Sequence, residues 1–584
     1  MPAPPFAVLR DPSGPGWCRF VRPRAIIEAW SLDEVRPALR RIEALVEGEG
    51  LWAAGAVAYD AAPAFDRALE ARRSPSLPLV WFAVGDAPEP FDLPPPPAGR
   101  PPAIPWAPTN DAAAHAAAVS RIRARIAAGD TYQVNHTFRL RAPFDGDAWE
   151  VFLRMAHAQP SPHALFLDTG DWAVASASPE LCFARDGTRI TCRPMKGTAA
   201  RGRTTDEDEA RASWLQASAK NRAENVMIVD MIRNDLGRVA EIGSVTVTDL
   251  FRTERYPTLW QMTSTVTAES CATLDEIFAA VFPCASVTGA PKARTCALIA
   301  DLETTPRGFY TGCLGVIAPG GVARFNVAIR TLVVDRRASR AEYGVGSGVT
   351  WDSDPAGEYE ECLAKAQVLL NPPEPVTLLE TLLWEPPGGW FLREAHLDRL
   401  ERSAGYFDVP FDRAAIIARL DAAPARAGAG PCVVRLRLAP DGDIETDTRA
   451  RPEPRPVVRL ALAAAPVDTT DVFLFHKTTR RAAYDAALAS VPGADDALLW
   501  NERGEITETT IANVVVDLDG TLCTPPVACG LLAGTYRGSL LDAGLVEERV
   551  IRLDDLRRAR AIHVVNAVRR WERATLVSPD PAPR

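Results

Sequence analysis

Residues 371–376 read NPPEPV, and three prolines in six positions exclude a helix interior or a central strand there. Proline fixes φ and removes the N–H donor that either element needs. A helical pattern ends near Leu370 and a fresh pattern starts after Val376, so this segment is the main domain boundary. A chain of 584 residues also exceeds what a single core organises. The expected layout is a first domain over 1–370, with 1–108 as its N-terminal subregion, a proline-rich linker over 371–376, and a second domain over 377–584. A second proline run, LPPPPAGRPPAIPWAP over 93–108, is a connection inside the first domain. Both sides mix strand and helix signals, α+β or α/β in class, and no internal repeat is present.

Bulk properties remove several classes of function. A formal net charge of −10 gives no basic footprint for nucleic acid. No run approaches about 18 uninterrupted apolar residues, so no membrane span is expected. The N-terminal MPAPPFAVLRDPSGPG carries prolines and charges where a signal peptide needs an apolar run. The eleven cysteines form no C-x-x-C pair and read as reduced core thiols of a cytoplasmic protein. TGCLGVI (311–317) resembles the nucleophile turn of glutamine amidotransferases, but Ile317 stands where the motif has glutamine and no His-x-Glu pair follows, so Cys313 reads as a strand cysteine.

The stretch DWAVASASPELCFARDGTRITCRPMKGT (171–198) holds a hairpin signal at Asp186-Gly187. With that turn, Glu180 faces Arg193, and Lys196 reaches Glu180 at the open end, within about 10 Å by strand spacing. Either a site or a surface ion pair fits this geometry. GDTYQVNHTF reads as a strand that sets Gln133 and Asn135 on one face. KNRAENVMIVDMIRNDLG (220–237) is a helix, apolar nearly all round from Val226, that takes Glu224 into a buried segment needing a partner or a metal. In DSDPAGEYEECLAK, Asp354 caps a helix whose one face carries Glu358, Glu361 and Lys365. Two carboxylates there plus Glu224 suit a hard Mg²⁺ ion; a macrodipole complement is the plainer reading. SVTGAPKARTCALIADLE starts a helix at Pro291, with the amides of Thr288, Gly289 and Ala290 free for an anion. Arg330 in FNVAIRTL is a lone cation in an apolar strand, a fork for a carboxylate.

In this order, GDTYQVN, SPELCF, PMKGT, AENVMIVDMIRNDLGRV, SVTGAPKAR, FNVAIRTL and GSGVTWDSDPAGEYEECLAK resemble the chorismate-utilising enzymes: anthranilate, aminodeoxychorismate, isochorismate and salicylate synthases. The resemblance implies a large α/β sandwich that binds chorismate, Mg²⁺ held by Glu224 and Glu361 with Glu358 in support, Glu180 as general acid, and Thr288, Gly289, Ala290, Arg330 and Lys365 toward substrate. Isochorismate and salicylate enzymes carry a water-activating lysine where this chain has Gln133. Anthranilate synthases have alanine where aminodeoxychorismate synthases have a lysine that attacks the ring, as at Lys196. That branch uses ammonia from a separate glutamine amidotransferase subunit. Several relatives also carry a histidine where Gln261 stands.

Beyond the boundary, LLETLLWEPPGGWFLREAHLDRLERSAGYF, FLFHKTTRRAAYDAAL, NERGEITETTIANVVVDLDG and LLAGTYRGSLL each carry weak signals. DVFLFHK alternates as a strand ending at Lys477; EITETTIANV sets Ile506, Glu508 and Thr510 on one face; a helix opens after Gly534 and offers Thr535; and Arg399 belongs to the helix HLDRLERSA. Together they are similar to fold-type IV pyridoxal-phosphate enzymes, the branched-chain and D-amino acid aminotransferases and aminodeoxychorismate lyase. The resemblance makes Lys477 the Schiff-base lysine and general base, pairs Glu508 with the pyridinium nitrogen, and gives the phosphate to Arg399 and Thr535. VVNAVRRW (564–571) favours lyase over transaminase, and the fold is compatible with a homodimer through this domain. The expectation is therefore a fused pair of enzymes making 4-aminobenzoate for folate; the alternatives are an anthranilate synthase fused to an aminotransferase, against which Lys196 argues, and a second half that is catalytically degenerate.

Overall fold

The computed structural model describes residues 7–577, apart from 13, 15, 98, 100–103, 373, 374, 427–429 and 454. The expectations for residues 1–6, for 98 and 100–103 in the first proline run, for 373 and 374 in the linker and for 578–584 lie outside the described residues. The chain divides into two compact units, Met1–Ala200 with Ala212–Glu374, and Arg201–Arg211 with Pro375–Arg584. The division falls inside the proline-rich run, and residues 201–211 group with the second unit. There Arg201 donates to the Tyr406 carbonyl at 2.9 Å, and the Tyr406 hydroxyl donates to the Gly202 carbonyl at 2.7 Å.

Two ten-stranded antiparallel sheets, counted among the described residues, build the first unit. One runs from Gly289–Ala290 through Gln133–Pro143, Arg340–Val349, Thr331–Asp335 and Trp172–Ser176 toward Glu89–Phe91. The other runs from Met195–Ala200 through Leu259–Glu269, Arg189–Arg193, Leu181–Asp186, Val322–Val327 and Cys313–Ala318 toward Ala25–Ala29. Their strands are apolar on both faces because both faces are covered. In Val80–Gly85, Trp81 and Ala83 meet Leu165, Leu167, Trp172 and Val174 of the other sheet. Val80, Phe82 and Val84 face the opposite way, onto Val35, Leu39, Ile42 and Val46 of the helix Leu32–Glu49. Phe152 and Met155 of the helix Ala148–Ala158 cover the outer face of the other sheet. The result is the expected sandwich, with helices outside both sheets.

Local differences have simple causes. The hairpin turn is Gly187-Thr188, not Asp186-Gly187, so Leu181 rather than Glu180 faces Arg193. Gly187 has φ 59, the conformation that the first central position of a type II′ turn requires. The helix Ala219–Gly237 is one-sided: Ile228, Val229, Ile232 and Leu236 are buried while Val226 is 38% exposed, so Glu224 sits at its margin instead of in an all-apolar segment. Arg330 is not in a strand; its φ of 49 ends Val322–Val327 and starts the bend into Thr331–Asp335.

The second unit has a four-stranded sheet, ordered Gly389–Trp390, Leu378–Glu385, Cys432–Leu438, Ile444–Ala450, packed under the helices Arg393–Phe407 and Arg413–Ala422. Its eight-stranded sheet closes on itself, because Ile506–Thr509 pairs with both Asp496–Trp500 and Asn513–Leu518. DVFLFHK is not a strand. Asp471 accepts from the Phe473 N–H at 2.9 Å and winds Val472–Leu474 into a short 3-10 turn, the local bond that competes with extension. No helix among the described residues is long and apolar enough to cross a membrane.

Candidate active sites

In the first unit a cavity of about 480 Å³ collects Glu180, Lys196, Glu224, Glu358, Glu361, Lys365 and Arg330. They converge because the terminal strand Met195–Ala200 of one sheet packs on the helix Ala219–Gly237, the helix Pro355–Lys365 packs on the strand Arg340–Val349 of the other, and Lys196 Nζ reaches over Gly348 of that strand. The turn carrying the lysine is tied down on both sides. Asn225 Nδ2 donates to the Lys196 carbonyl at 3.3 Å, and Gln261 Nε2 donates to the Gly197 carbonyl at 2.9 Å. Gly197 has φ 97, which only glycine adopts without strain, and a Cβ there would press Asn221 at 3.1 Å.

Burial pulls the Lys196 amine below the ordinary lysine range; Glu224, Glu361 and Glu180 oppose that shift and Lys365 adds to it. Glu180 is 3% exposed, and burial raises its carboxyl to about 7, with Ser286 and Lys196 pulling the other way. Its Oε1 has no hydrogen-bond partner. An amine made less basic and a carboxyl that keeps a proton near neutrality, lining one cavity, are groups suited to nucleophilic and acid chemistry. Burial also works against the Glu361 carboxylate, yet Lys365, bonded at 2.7 Å, holds it below the usual range.

The three glutamates fit a magnesium ion that takes its remaining ligands from substrate and water. Glu224, Glu358 and Glu361 line the cavity, and Glu358 Oε2 is buried without a hydrogen-bond partner. They do not form a ready-made cage: among the described residues no three acidic, histidine or cysteine side chains stand close enough to hold a metal by themselves. Thr288, Gly289 and Ala290 do not line the cavity; Ser286 and Val287 do. The Thr288 hydroxyl donates to the Cys284 carbonyl at 3.0 Å, and Gly289 and Ala290 pair as a strand with Val134 and Gln133. The Thr288 N–H donates to the Ala285 carbonyl at 3.3 Å, and the Thr288 and Ala290 carbonyls accept from the N–H groups of Asn135 and Tyr132. Arg330 lines the cavity, with its guanidinium donating to Gln159 Oε1. Asn225 and Ser286 escaped the sequence reading; only their places beside Glu224 and in the SVTGAP run hinted at them.

In the second unit another cavity of about 480 Å³ brings together Lys477, Glu508, Arg399, Thr535, Arg435 and Arg449. Lys477 is pinned by its backbone, since its carbonyl accepts from the Leu379 N–H at 2.9 Å and Thr478 bridges Leu378. Burial, with Arg399, lowers its amine to about 8. Burial raises the Glu508 carboxyl to about 7, although it accepts from Leu532 N–H at 3.0 Å, the Tyr484 hydroxyl at 2.8 Å and Asn513 Nδ2 at 3.1 Å.

Arg399 is more committed than the sequence implied. It forks onto Glu380 with two bonds of 2.8 Å and donates to the Ala533 carbonyl at 3.1 Å. His396 Nδ1 lies 2.7 Å from the same carboxylate and its Nε2 lies 3.2 Å from the Thr535 hydroxyl. Despite burial, Arg399 and His396 keep Glu380 well below the usual carboxylate range, so Nδ1 donates and Nε2 accepts from Thr535. Glu380 and His396 were missed; the signal was a single acid inside the apolar run LLETLL. The donor set fits pyridoxal phosphate: a lysine that sheds its proton easily, a buried acid opposite it, and an arginine and a hydroxyl at the start of the helix Thr535–Asp542.

Residues 86–371 match the family model for chorismate binding enzymes, and residues 377–577 match that for amino-transferase class IV. Among curated relatives, an anthranilate synthase component 1 of Haloarcula marismortui is 42% identical over 255 residues, 43% of this chain and 52% of that protein. An aminodeoxychorismate synthase of Streptomyces griseus is 44% identical over 250 residues, 42% of this chain and 34% of that protein. Aminodeoxychorismate synthase component 1 of Bacillus subtilis is 39% identical over 251 residues, 43% of this chain and 53% of that protein. The chain spans about half or less of the length of these relatives. The crystal structure of anthranilate synthase component I from Streptococcus pneumoniae matches with a TM-score of 0.52 at 24% identity, over 64% of this chain and 93% of that one, a likeness of fold.

Proposed function

We propose, for a chain that carries a chorismate binding enzyme domain followed by an amino-transferase class IV domain, that the two cavities perform consecutive steps from chorismate to 4-aminobenzoate. The first cavity aminates chorismate to 4-amino-4-deoxychorismate. The observation that carries this reading is the Lys196 amine, lowered in basicity and sharing one cavity with Glu180. An anthranilate synthase would have no use for that amine.

In the first step the Lys196 nitrogen bonds to C2 of the ring, both ring double bonds shift by one position, and the C4 hydroxyl leaves as water with a proton from Glu180. Ammonia then bonds to C4, both double bonds return, and the lysine departs from C2. Glu224, Glu358 and Glu361 would hold magnesium, whose charge supplies a Lewis-acid grip on the ring carboxylate. Lys365 and Arg330 offer further cations to substrate carboxylates.

In the second cavity pyridoxal phosphate, when bound, supplies an electron sink. Glu508 would sit against its ring nitrogen, and Arg399 with Thr535 would face its phosphate. Lys477, lowered to about 8, takes the proton from C4 of the substrate ring, and pyruvate leaves as the ring becomes aromatic. Arg435 and Arg449 stand in the same cavity, and Arg435 Nε is buried without a hydrogen-bond partner, a complement to a substrate bearing two carboxylates. Ammonia would come from a separate glutamine amidotransferase subunit, and the cytoplasm is the compartment proposed for a folate-supplying enzyme.

Purified protein given chorismate, ammonium, Mg²⁺ and pyridoxal phosphate is expected to release 4-aminobenzoate, identified by mass spectrometry. Lys196→Ala is expected to abolish 4-amino-4-deoxychorismate formation with an unchanged circular dichroism spectrum. Undiminished turnover by that variant would exclude the covalent role.

A further inference from the structure

Gly348 lies in the strand Arg340–Val349, directly across from Asn135. Its φ is not in the left-handed region, so backbone freedom does not explain a glycine there. Space does. A Cβ on Gly348 would fall 2.4 Å from Lys196 Nζ and 2.6 Å from Gln133 Nε2, closer than any real contact. The tip of the lysine and the amide of Gln133 therefore meet over one bare patch of strand.

Gln133 is 1% exposed, and its Oε1 is buried with no hydrogen-bond partner. Its backbone is clamped. The Gln133 carbonyl accepts from the Thr131 hydroxyl at 3.0 Å, and a Cβ on Gly289 would stand 2.0 Å from that same oxygen. The close strand pairing that withholds Gly289 from the cavity thus fixes where the Gln133 side chain starts. A buried acceptor without a donor, beside an amine that has N–H groups to give, is a mismatch that a half-turn of the amide removes, because its O and N ends are nearly isosteric.

We infer that Gln133 and Gly348 are positioning residues for Lys196: Gly348 leaves the hollow that seats the amine, and Gln133 Oε1 accepts one of its N–H groups. The inference rests on Lys196 being the nucleophile. A nucleophilic amine has one lone pair to aim, and fixing an N–H aims it. A neutral acceptor does this without drawing a further proton onto the nitrogen, as a carboxylate would.

Gly348→Ala and Gln133→Leu, made in the full chain and compared with Lys196→Ala, test the seat. Both should lower kcat for 4-amino-4-deoxychorismate by about 100-fold, the scale of an ångström of misplacement, while KM for chorismate stays within about threefold. A second readout needs no turnover. The acylation rate of Lys196 by acetic anhydride, located by mass spectrometry, should change by about fivefold or more, with Lys220 and Lys292 unchanged as references. A raised KM at unchanged kcat would mean that the new methyl only obstructs substrate, and would overturn the seat. Wild-type kcat with wild-type labelling, or equal changes at all lysines, would overturn it as well. Full activity in Lys196→Ala would instead remove the nucleophile reading, and the labelling rates would still report on the seat.

Discussion

Replacing Glu180 by glutamine should leave the first domain inert yet more stable, with a gain that depends on pH. Burial raises this carboxyl from 4.5 to about 7. Between those values the folded chain keeps a proton that the unfolded chain has lost. Below the lower value both states are protonated and no charge is buried. As pH rises through the folded value the carboxylate has to ionise inside the protein, and the stability present in acid is lost. At 1.36 kcal/mol per pKa unit the loss is about 3 kcal/mol by pH 8.5. Glutamine has the same shape without the charge, so Glu180→Gln should approach wild type in stability near pH 4.5 and exceed it by about 3 kcal/mol at pH 8.5. For a unit of about 360 residues this corresponds to about 4 °C in Tm, taking ~2.1 cal/mol/K per residue. Differential scanning calorimetry of both proteins at pH 5 and pH 8.5 measures it. Turnover supplies the functional half: wild-type kcat should fall as pH rises through about 7, where the acid loses its proton, and the variant should show none. An equal Tm difference at both pH values would refute the argument, because only a pH-dependent gain traces to the buried charge.

Two further outcomes follow from the cavities. EDTA should stop chorismate amination and leave pyruvate release from added 4-amino-4-deoxychorismate intact; amination that continues without metal would remove Glu224, Glu358 and Glu361 as ligands. Arg435→Leu should raise KM for 4-amino-4-deoxychorismate by about 10- to 100-fold, the scale of one charge-assisted hydrogen bond at 1.5–3 kcal/mol, without loss of the bound cofactor's absorbance. An unchanged KM would place that guanidinium outside substrate contact.

The architecture was legible where the signal was local. NPPEPV stands out as a break because proline acts on its own residue, and the cap at Asp354 set the face of Glu358, Glu361 and Lys365 within two turns. What failed depended on distant partners. Alternation in DVFLFHK was outweighed by the Asp471 turn, and Gly289 and Ala290 of SVTGAP pair with a strand about 155 positions earlier. The Glu380–His396–Thr535 relay joins three separate elements and has no sequence spacing to betray it.

The chain has 65 basic residues, and only five are lysine: Lys196, Lys220, Lys292, Lys365 and Lys477. Arginine holds its charge at any working pH and forks onto carboxylates, so a chain that otherwise uses arginine retains lysine where a slim point charge or a removable proton is required. Lys196, Lys220 and Lys365 line the first cavity and Lys477 the second, whereas Lys292 bonds Asp235 at 2.6 Å outside both. Exchange to arginine, one lysine at a time, therefore separates charge from proton transfer. Lys196→Arg should end amination and Lys477→Arg should end pyruvate release and let 4-amino-4-deoxychorismate accumulate, although each keeps its positive charge. Lys292→Arg should retain both activities, since an ion pair to a carboxylate is all that its position asks. Activity surviving in Lys196→Arg or Lys477→Arg would show that the cavities need only a cation there, and the deprotonated amine would lose its place in the chemistry.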